Sequence, residues 1–300
     1  MKPDDFEFLA TLVKDRSGLV LTPDKSYLLE SRLMPVARKR GMKGLEDLVA
    51  SMRTRMDNML ADEITEAMTT NESFFFRDIK PFDIFRDIVL PNALKKRAST
   101  KKLRIWCAAA SSGQEPYSLG MLLKEAGPKL AGWKIEIIGT DISKDILNKA
   151  REGIYSQFEV QRGLPVQLLV KYFKKKDDMW QVDDAIRSMV QYKEFNLLES
   201  MQSFGTFDIV FCRNVLIYFD QPTKSDVLSR MSRQMAEDAV LYLGGAETVL
   251  GISDEFQPVK GLRGVYEKKN STASFGEGAE TVKPSPTVAA TGFQKPKHMQ

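Results

Sequence analysis

The stretch LRIWCAAASSGQEPYSLGMLL, residues 103–123, changes character twice. It opens with a short apolar run, LRIWCA, and passes through five small residues, Ala109 to Gly113. It then continues as a pattern in which Glu115 and Pro116 read as the first turn of a helix. Three further apolar runs follow, separated by helical patterns: WKIEIIGTD (133–141), FDIVFCRNVLIYF (207–219) and AVLYLGG (239–245). Strands that alternate with helices predict βαβ units, and near-continuous apolar runs predict a mostly parallel sheet covered on both faces. An α/β, doubly wound domain is therefore expected over 103–269. Its rhythm breaks over 153–195, where MWQV (179–182) and SMVQYKEF (188–195) predict a small antiparallel inserted subdomain.

Upstream the periodicity is helical. Phe6, Leu9, Leu12 and Val13 make one stripe that ends near Gly18. Leu29, Leu33 and Val36 make a second that Pro35 is expected to bend or shorten, and runs near Leu48 and Ile64 make a third and a fourth. An all-α domain is expected over 1–72, with a linker over 73–102 built on a helix at 81–97. Residues 270–300 are rich in Ser, Thr, Gly, Ala and Pro without an apolar period, and a disordered tail is expected there.

Composition narrows the chemistry. With 43% hydrophobic and 28% charged residues, the chain of 300 can bury a core, and no apolar run approaches a membrane span. The start, MKPDDFEFLATLVKD, has acids where a secretion signal needs bases, so a cytoplasmic protein is expected. The two cysteines, Cys107 and Cys212, cannot build a disulfide framework, and buried core thiols are expected. The one histidine, His298, lies in the tail, so histidine bases, histidine-activated nucleophiles and histidine-ligated zinc are excluded, and no metal is expected. Charge is segmented. Residues 25–55 carry eight Lys/Arg against three Asp/Glu, residues 57–72 five acids and no base, and residues 92–104 six bases and no acid. A basic face for an acidic partner and a merely solvated surface are both compatible with that pattern.

In open α/β sheets ligands bind beyond the carboxyl ends of the strands. The loop after the first strand lacks G-x-G-x-x-G, which argues against a dinucleotide and leaves a nucleoside ligand without a phosphate. Asp141, at the end of the second run, either accepts from ribose hydroxyls or caps the next helix. Arg213 and Asn214 are polar groups where the apolar run FDIVFC emerges. The segment TTNESFFFRD (69–78) reads either as a packing seam between domains or, through Arg77, as a carboxylate clamp in a cleft.

TTNESFFFRD, RIWCAAASSGQEPYSLGMLL, IIGTDIS, EFNLLE and FDIVFCRNVLIYFD, in this order, resemble the chemotaxis receptor glutamate methyltransferases, the CheR family. The likeness runs to about Lys269. It implies a Rossmann-like methyltransferase domain that moves a methyl group from S-adenosylmethionine to glutamates on the cytoplasmic helical bundle of methyl-accepting chemoreceptors. The products implied are glutamate methyl esters and S-adenosylhomocysteine, in chemotactic adaptation. By motif the cofactor site would comprise Asn71, Ser73, Arg77, Glu115, Asp141, Asn196, Leu197, Arg213 and Asn214, with Arg77 and Tyr218 as the catalytic pair. Ser73 stands where the family often has threonine. The resemblance also implies a docking helix bearing Arg32, Arg38, Lys39 and Arg40, with Pro35 where relatives carry another base.

A glutamate is ionised at neutral pH and needs no general base to attack a methyl sulfonium, which agrees with the missing histidine. The competing readings are an adenosylmethionine-binding signalling module without turnover and a nucleic-acid methyltransferase. The basic segments lack interleaved aromatics, so no nucleic-acid partner is expected, and neither is membrane insertion; a monomer is. Some family members bind a receptor pentapeptide on a glycine-containing hairpin loop. Here YFKKKDDMWQV (172–182) has no glycine and three consecutive lysines, so a pentapeptide-independent enzyme is expected.

Overall fold

The computed structural model describes residues 1–271. His298 and nearly all of the segment read as a tail lie outside the described residues.

Four helices open the chain: α1 (Pro3–Ser17), α2 (Ser26–Lys39), α3 (Leu45–Thr54) and α4 (Asn58–Met68). Pro3, Asp4 and Asp5 occupy the first turn of α1, where a missing N–H costs nothing and negative charge meets the helix dipole. Gly18 closes α1 in the left-handed region (φ 77°), donating its N–H to the Lys14 carbonyl. Asp57 caps α4 by accepting from Met59 and Leu60. The apolar stripes meet in one core of Leu9, Val13, Leu29, Leu33, Leu48 and Ile64. The helix α2 runs through Pro35 to Lys39 and is not cut short.

A non-helical strap, 69–79, leads into consecutive helical segments Lys80–Ile84, Phe85–Val89 and Leu90–Lys96. The middle segment is a π-turn immediately before Pro91, whose ring cannot donate to the ladder. The last segment, Leu90–Lys96, is pinned at its end by Arg97, which bonds Asp208 at 2.6 Å and Asp238 at 2.7 Å.

Among the described residues ten strands follow: β1 (Lys102–Ala108), β2 (Lys134–Asp141), β3 (Ile154–Ser156), β4 (Phe173–Lys176), β5 (Met179–Val182), β6 (Val190–Glu194), β7 (Phe207–Cys212), β8 (Met235–Leu243), β9 (Phe256–Pro258) and β10 (Val265–Lys268). The main sheet has the order β6-β2-β1-β7-β8-β10-β9. It is parallel from β6 through β8, with β10 and β9 antiparallel at one edge. Successive side chains of β1 enter opposite cores: Ile105 and Cys107 on one face, Trp106 and Ala108 on the other. The strand order reverses between β1 and β7, which opens a crevice at their carboxyl ends.

One expectation is corrected. The antiparallel sheet, ordered β3-β5-β4, lies within 154–182, while the stretch read as its partner, SMVQYKEF, supplies β6, the parallel edge of the main sheet. In β6 only Val190 is buried, so an edge strand of the main sheet carries the same sparse pattern as a surface hairpin. The cysteines are buried core thiols, as expected, and stand one residue apart in register, since Ala108 pairs with Cys212. Their side chains nevertheless belong to opposite cores, Cys107 to one and Cys212 to the other, and burial pushes both thiols well above their ordinary range. No disulfide can join them across the sheet.

The helical domain sits over the crevice. Val20 donates its N–H to the Tyr218 carbonyl (2.9 Å), Asn196 Nδ2 donates to the Arg16 carbonyl (2.6 Å), and Lys14 pairs with Asp220 (2.8 Å). Ser143 Oγ donates to Glu66 of α4. Among the described residues no helix is long and apolar enough to cross a membrane.

Candidate active site

The loops after β6, β2, β1 and β7 meet at one cleft, and the strap and the end of α1 close it. After β1 the chain turns through Ala109 (φ 60°), Ser111 (φ 51°) and Gly113 (φ 93°). A side chain on Gly113 would meet the Tyr192 hydroxyl at 2.6 Å, so only glycine fits there. The small residues of this loop bring main chain to the cleft floor.

Asp141 ends β2, buried. Its Oδ2 accepts from Ser111 N at 2.8 Å and its Oδ1 from Ser143 N at 3.1 Å. Burial raises its pKa, and these two N–H groups oppose the rise. The next helix, Lys144–Glu152, is capped by Ser143 instead, so the capping alternative for Asp141 falls away. Asp141 ties the β1 and β2 loops together, and each of its oxygens keeps a lone pair for a hydroxyl donor in the cleft.

Arg213 leaves β7 into the interior with its side chain 1% exposed. Its Nη1 bonds Glu115 at 2.8 Å, and its Nη2 bonds Asp78 at 2.6 Å and the Arg77 carbonyl at 2.9 Å, while Nε is buried without a partner. Burial pushes the Glu115 carboxyl up, against the pull of Arg213. A charged pair with spare donor and acceptor capacity is suited to a zwitterionic ligand end.

Arg77 and Tyr218 face the same cleft from opposite loops. Arg77 donates Nη1 to the Glu72 carbonyl at 2.9 Å and lies over the Phe74 ring at 5.4 Å. The Tyr218 hydroxyl makes no hydrogen bond among the described residues and is free to meet a ligand. Asn71, Ser73, Asn196, Leu197 and Asn214 also line the cleft, so all ten residues placed in the cofactor site or the catalytic pair from sequence converge on it. Asn196 spends its amide at the domain junction, and Asn214 is held left-handed (φ 60°). Of the three phenylalanines, Phe75 and Phe76 are buried seam residues, whereas Phe74 is half-buried beside Arg77.

The four docking cations do not share one free face, which corrects the expectation for α2. Arg32 donates to the carbonyls of Met68 (2.7 Å) and Thr69 (3.1 Å) at the end of α4, and Arg40 pairs with Glu63 at 3.1 Å. The acidic run 57–72 packs beside the basic run and neutralises part of it. Lys39 reaches Glu63 at 3.6 Å but stays exposed, and Arg38 is exposed without an ion pair among the described residues.

Two site residues escaped the sequence reading. Asp78 adjoins Arg77 in the quoted motif and completes the clamp on Arg213. Glu247 is buried; its Oε2 accepts from Asn214 N (2.7 Å) and Gly244 N (2.6 Å), and its Oε1 from Val215 N (3.0 Å) and Ile217 N (3.2 Å). Its signal was available: an acid two residues beyond AVLYLGG, at the end of a strand.

The residues fit a ligand with a nucleoside, hydroxyls and a zwitterionic end. Leu19, Ile142, Phe195, Leu197 and Val215 supply apolar wall, Asp141 the hydroxyl acceptor, and Glu115 with the unpaired Arg213 Nε the charged end. S-adenosylmethionine has these three parts.

Two family models match the chain: "CheR methyltransferase, SAM binding domain" over residues 71–265 and "CheR methyltransferase, all-alpha domain" over residues 4–69. The chain is 38% identical over 270 residues to chemotaxis protein methyltransferase Cher2 of Pseudomonas putida, covering 88% of this chain and 98% of that one. It is 40% identical over 267 residues to chemotaxis protein methyltransferase 1 of Pseudomonas aeruginosa, covering 87% and 96%. To the chemotaxis protein methyltransferase of Borreliella burgdorferi it is 34% identical over 253 residues, covering 83% and 89%.

Proposed function

The chain belongs to the CheR methyltransferase family, and from that premise we propose that it methylates glutamate side chains on the cytoplasmic helical bundle of chemoreceptors. It is an S-adenosylmethionine-dependent methyltransferase, and the esters it forms serve chemotactic adaptation. The observation that carries the residue assignment is the meeting of Arg77 and Tyr218 at one cleft whose floor is the buried Asp141 carboxylate.

The donor, when bound, supplies an electrophilic methyl group on a sulfonium. In this reading Asp141 accepts from the donor's hydroxyls, while Glu115 and Arg213 hold its charged end. Asn71, Ser73, Asn196, Leu197 and Asn214 complete the wall. The acceptor carboxylate arrives ionised, so the chain's task is orientation, and orientation alone provides effective molarities of ~10⁵ M or more. Arg77 and the free Tyr218 hydroxyl aim that carboxylate. Arg77 is only half-buried, so solvent screens its charge. A modest hold suits a step that neutralises the carboxylate, since a tight one would stabilise the ground state.

The helical domain, 1–72, meets the receptor through Arg38 and Lys39, and the enzyme acts as a cytoplasmic monomer. The hairpin does not tether a receptor pentapeptide. Its turn is the two residues Asp177 and Asp178, and its edge strand β4 presents Lys174 to Lys176 exposed, charges that discourage an added strand. The experiment is incubation with labelled donor and a receptor cytoplasmic fragment. Alkali-labile label on the fragment, lost with Arg77→Ala and reduced with Tyr218→Phe in folded protein, is the expected result. Alkali-stable label or none contradicts the reading. Anisotropy with a labelled pentapeptide tests the hairpin, where micromolar binding contradicts it.

A further inference from the structure

The insertion reaches the catalytic arginine from outside the cleft. Arg162, directly after the short helix Gln157–Gln161 that follows β3, places its guanidinium 4.4 Å from the centroid of the Phe74 ring, and Arg77 lies over the same ring at 5.4 Å. Phe74 is thus a shared platform for two guanidinium groups. Glu72 joins them a second time: its carboxylate bonds Arg162 Nη2 at 2.5 Å while its main-chain carbonyl accepts from Arg77 Nη1 at 2.9 Å. Arg162 holds the Glu72 carboxyl below its ordinary range.

The neighbouring contacts fasten the same stretch of strap. Gly163, left-handed at φ 87°, comes so close that a Cβ there would lie 2.1 Å from the Phe75 carbonyl oxygen. The Phe75 ring meets Tyr155 (5.0 Å) and Phe173 (5.5 Å), both in the insertion. Around Arg77 the backbone is left-handed at Phe76 (φ 50°), Asp78 (φ 69°) and Ile79 (φ 53°). Such conformations in residues with side chains persist only where the surroundings over-determine them.

We propose that Arg162 is a positioning residue for Arg77, which it orients through Phe74 and Glu72, so that the insertion is coupled to methyl transfer. This rests on the assignment of Arg77 to the acceptor carboxylate. The Arg162–Glu72 pair is 41% and 56% exposed, and a pair so wetted adds little to stability. Its consequence is directional. A planar guanidinium stacked on one face of Phe74 fixes the ring that carries Arg77, and lysine cannot reproduce the stack.

The test is a double-mutant cycle on the full chain with Arg162→Ala, Arg162→Lys and Arg77→Lys, read by kcat on the receptor fragment at saturating donor. Arg162→Ala lowers kcat about five- to tenfold with Arg77 present, and less than about twofold once Arg77 is Lys. Arg162→Lys, which keeps the ion pair and loses the stack, falls between. The melting temperature moves by less than about 3 °C. Equal fold-losses in both backgrounds, or an unchanged kcat, overturn the proposal. A second readout needs no substrate: the Nε–H signal of Arg77, assigned with Arg77→Lys, shifts in Arg162→Ala. An unmoved signal overturns the proposal even if the receptor fragment is not methylated, an outcome that would separately overturn the methylation reading.

Discussion

The loop that carries Tyr218 and the strap that carries Arg77 share one clamp, Arg213, and differ in what else holds them. Residues 213–218 are gathered onto one buried carboxylate, Glu247, which takes three main-chain N–H groups from them and a fourth from Gly244, and the Arg213 side chain is locked between Glu115 and Asp78. The strap 69–79 shares that lock at Asp78 and the Arg77 carbonyl, but toward the insertion it is fastened by aromatic edges, a wet ion pair and one close glycine contact, on a backbone that is left-handed three times. Buried, fully paired polar networks rigidify; half-exposed contacts orient and can be displaced. The Tyr218 loop is therefore fixed within the methyltransferase domain, whereas the strap is anchored there by its main chain and Asp78 while the insertion holds the ring that carries the Arg77 side chain.

The strongest way to break this contrast is Glu247→Ala. Four N–H groups would lose their acceptor at once, costing about 3 kcal/mol or more and lowering the melting temperature by roughly 6–12 °C. A melting point within a degree or two of wild type would mean that the Tyr218 loop is held by something else. Gly163→Ala probes the strap. A Cβ 2.1 Å from the Phe75 carbonyl, on a left-handed residue, should cost about 2–3 kcal/mol and lower turnover with it. Normal turnover in a destabilised protein would uncouple the insertion from Arg77.

Asp141→Ala leaves both loops and removes the floor they share. Donor affinity should fall by about 1–3 kcal/mol in titration calorimetry, and an unchanged dissociation constant would take Asp141 out of the site. Acid sharpens the comparison further. Burial raises the pKa of Asp141 and of Glu115, so on acidification both take up protons before an ordinary surface carboxylate does, and donor affinity should decline early. Asp220 moves the other way, pulled below its ordinary range by its hydrogen bond to Lys14. Its contribution is complete above the unfolded carboxylate range and is lost only as pH falls toward the lowered value. Near pH 5 the domains should stay docked, by scattering or intrinsic fluorescence, while calorimetry records weaker binding. Smallest of all, Arg38→Glu should slow receptor methylation about two- to threefold and flatten its salt dependence, with donor affinity unchanged. Parallel salt slopes would remove Arg38 from docking.

Much of this was legible in the residues because it rests on periodicity and on side-chain chemistry. The stripe Leu9–Val13, the runs LRIWCA and FDIVFC, and the acids and bases at strand ends announce helices, strands and a cleft without reference to one another. What escaped depends on partners distant in the chain. The acid at Glu247 stands in view beyond AVLYLGG, but the main-chain N–H groups it serves leave no mark in a sequence. Arg162 matters only because the insertion folds back onto the strap. Arg32 and Arg40 looked available until α4 brought Glu63 and the carbonyls of Met68 and Thr69 beside them. The strand β6 was misassigned because an edge strand shows the core too few residues to reveal its direction.

The two cysteines give the molecule a pair of internal reporters. One thiol lies in the core above the main sheet and one in the core below, both fully enclosed and both held in the unreactive protonated form by burial. Alkylation can then proceed only when the corresponding core opens. The two labelling rates, separated by mass spectrometry of the peptides around Cys107 and Cys212, would time the opening of each layer independently. A protein with no other thiol needs no engineered probe to show whether donor binding quiets one face of its sheet more than the other.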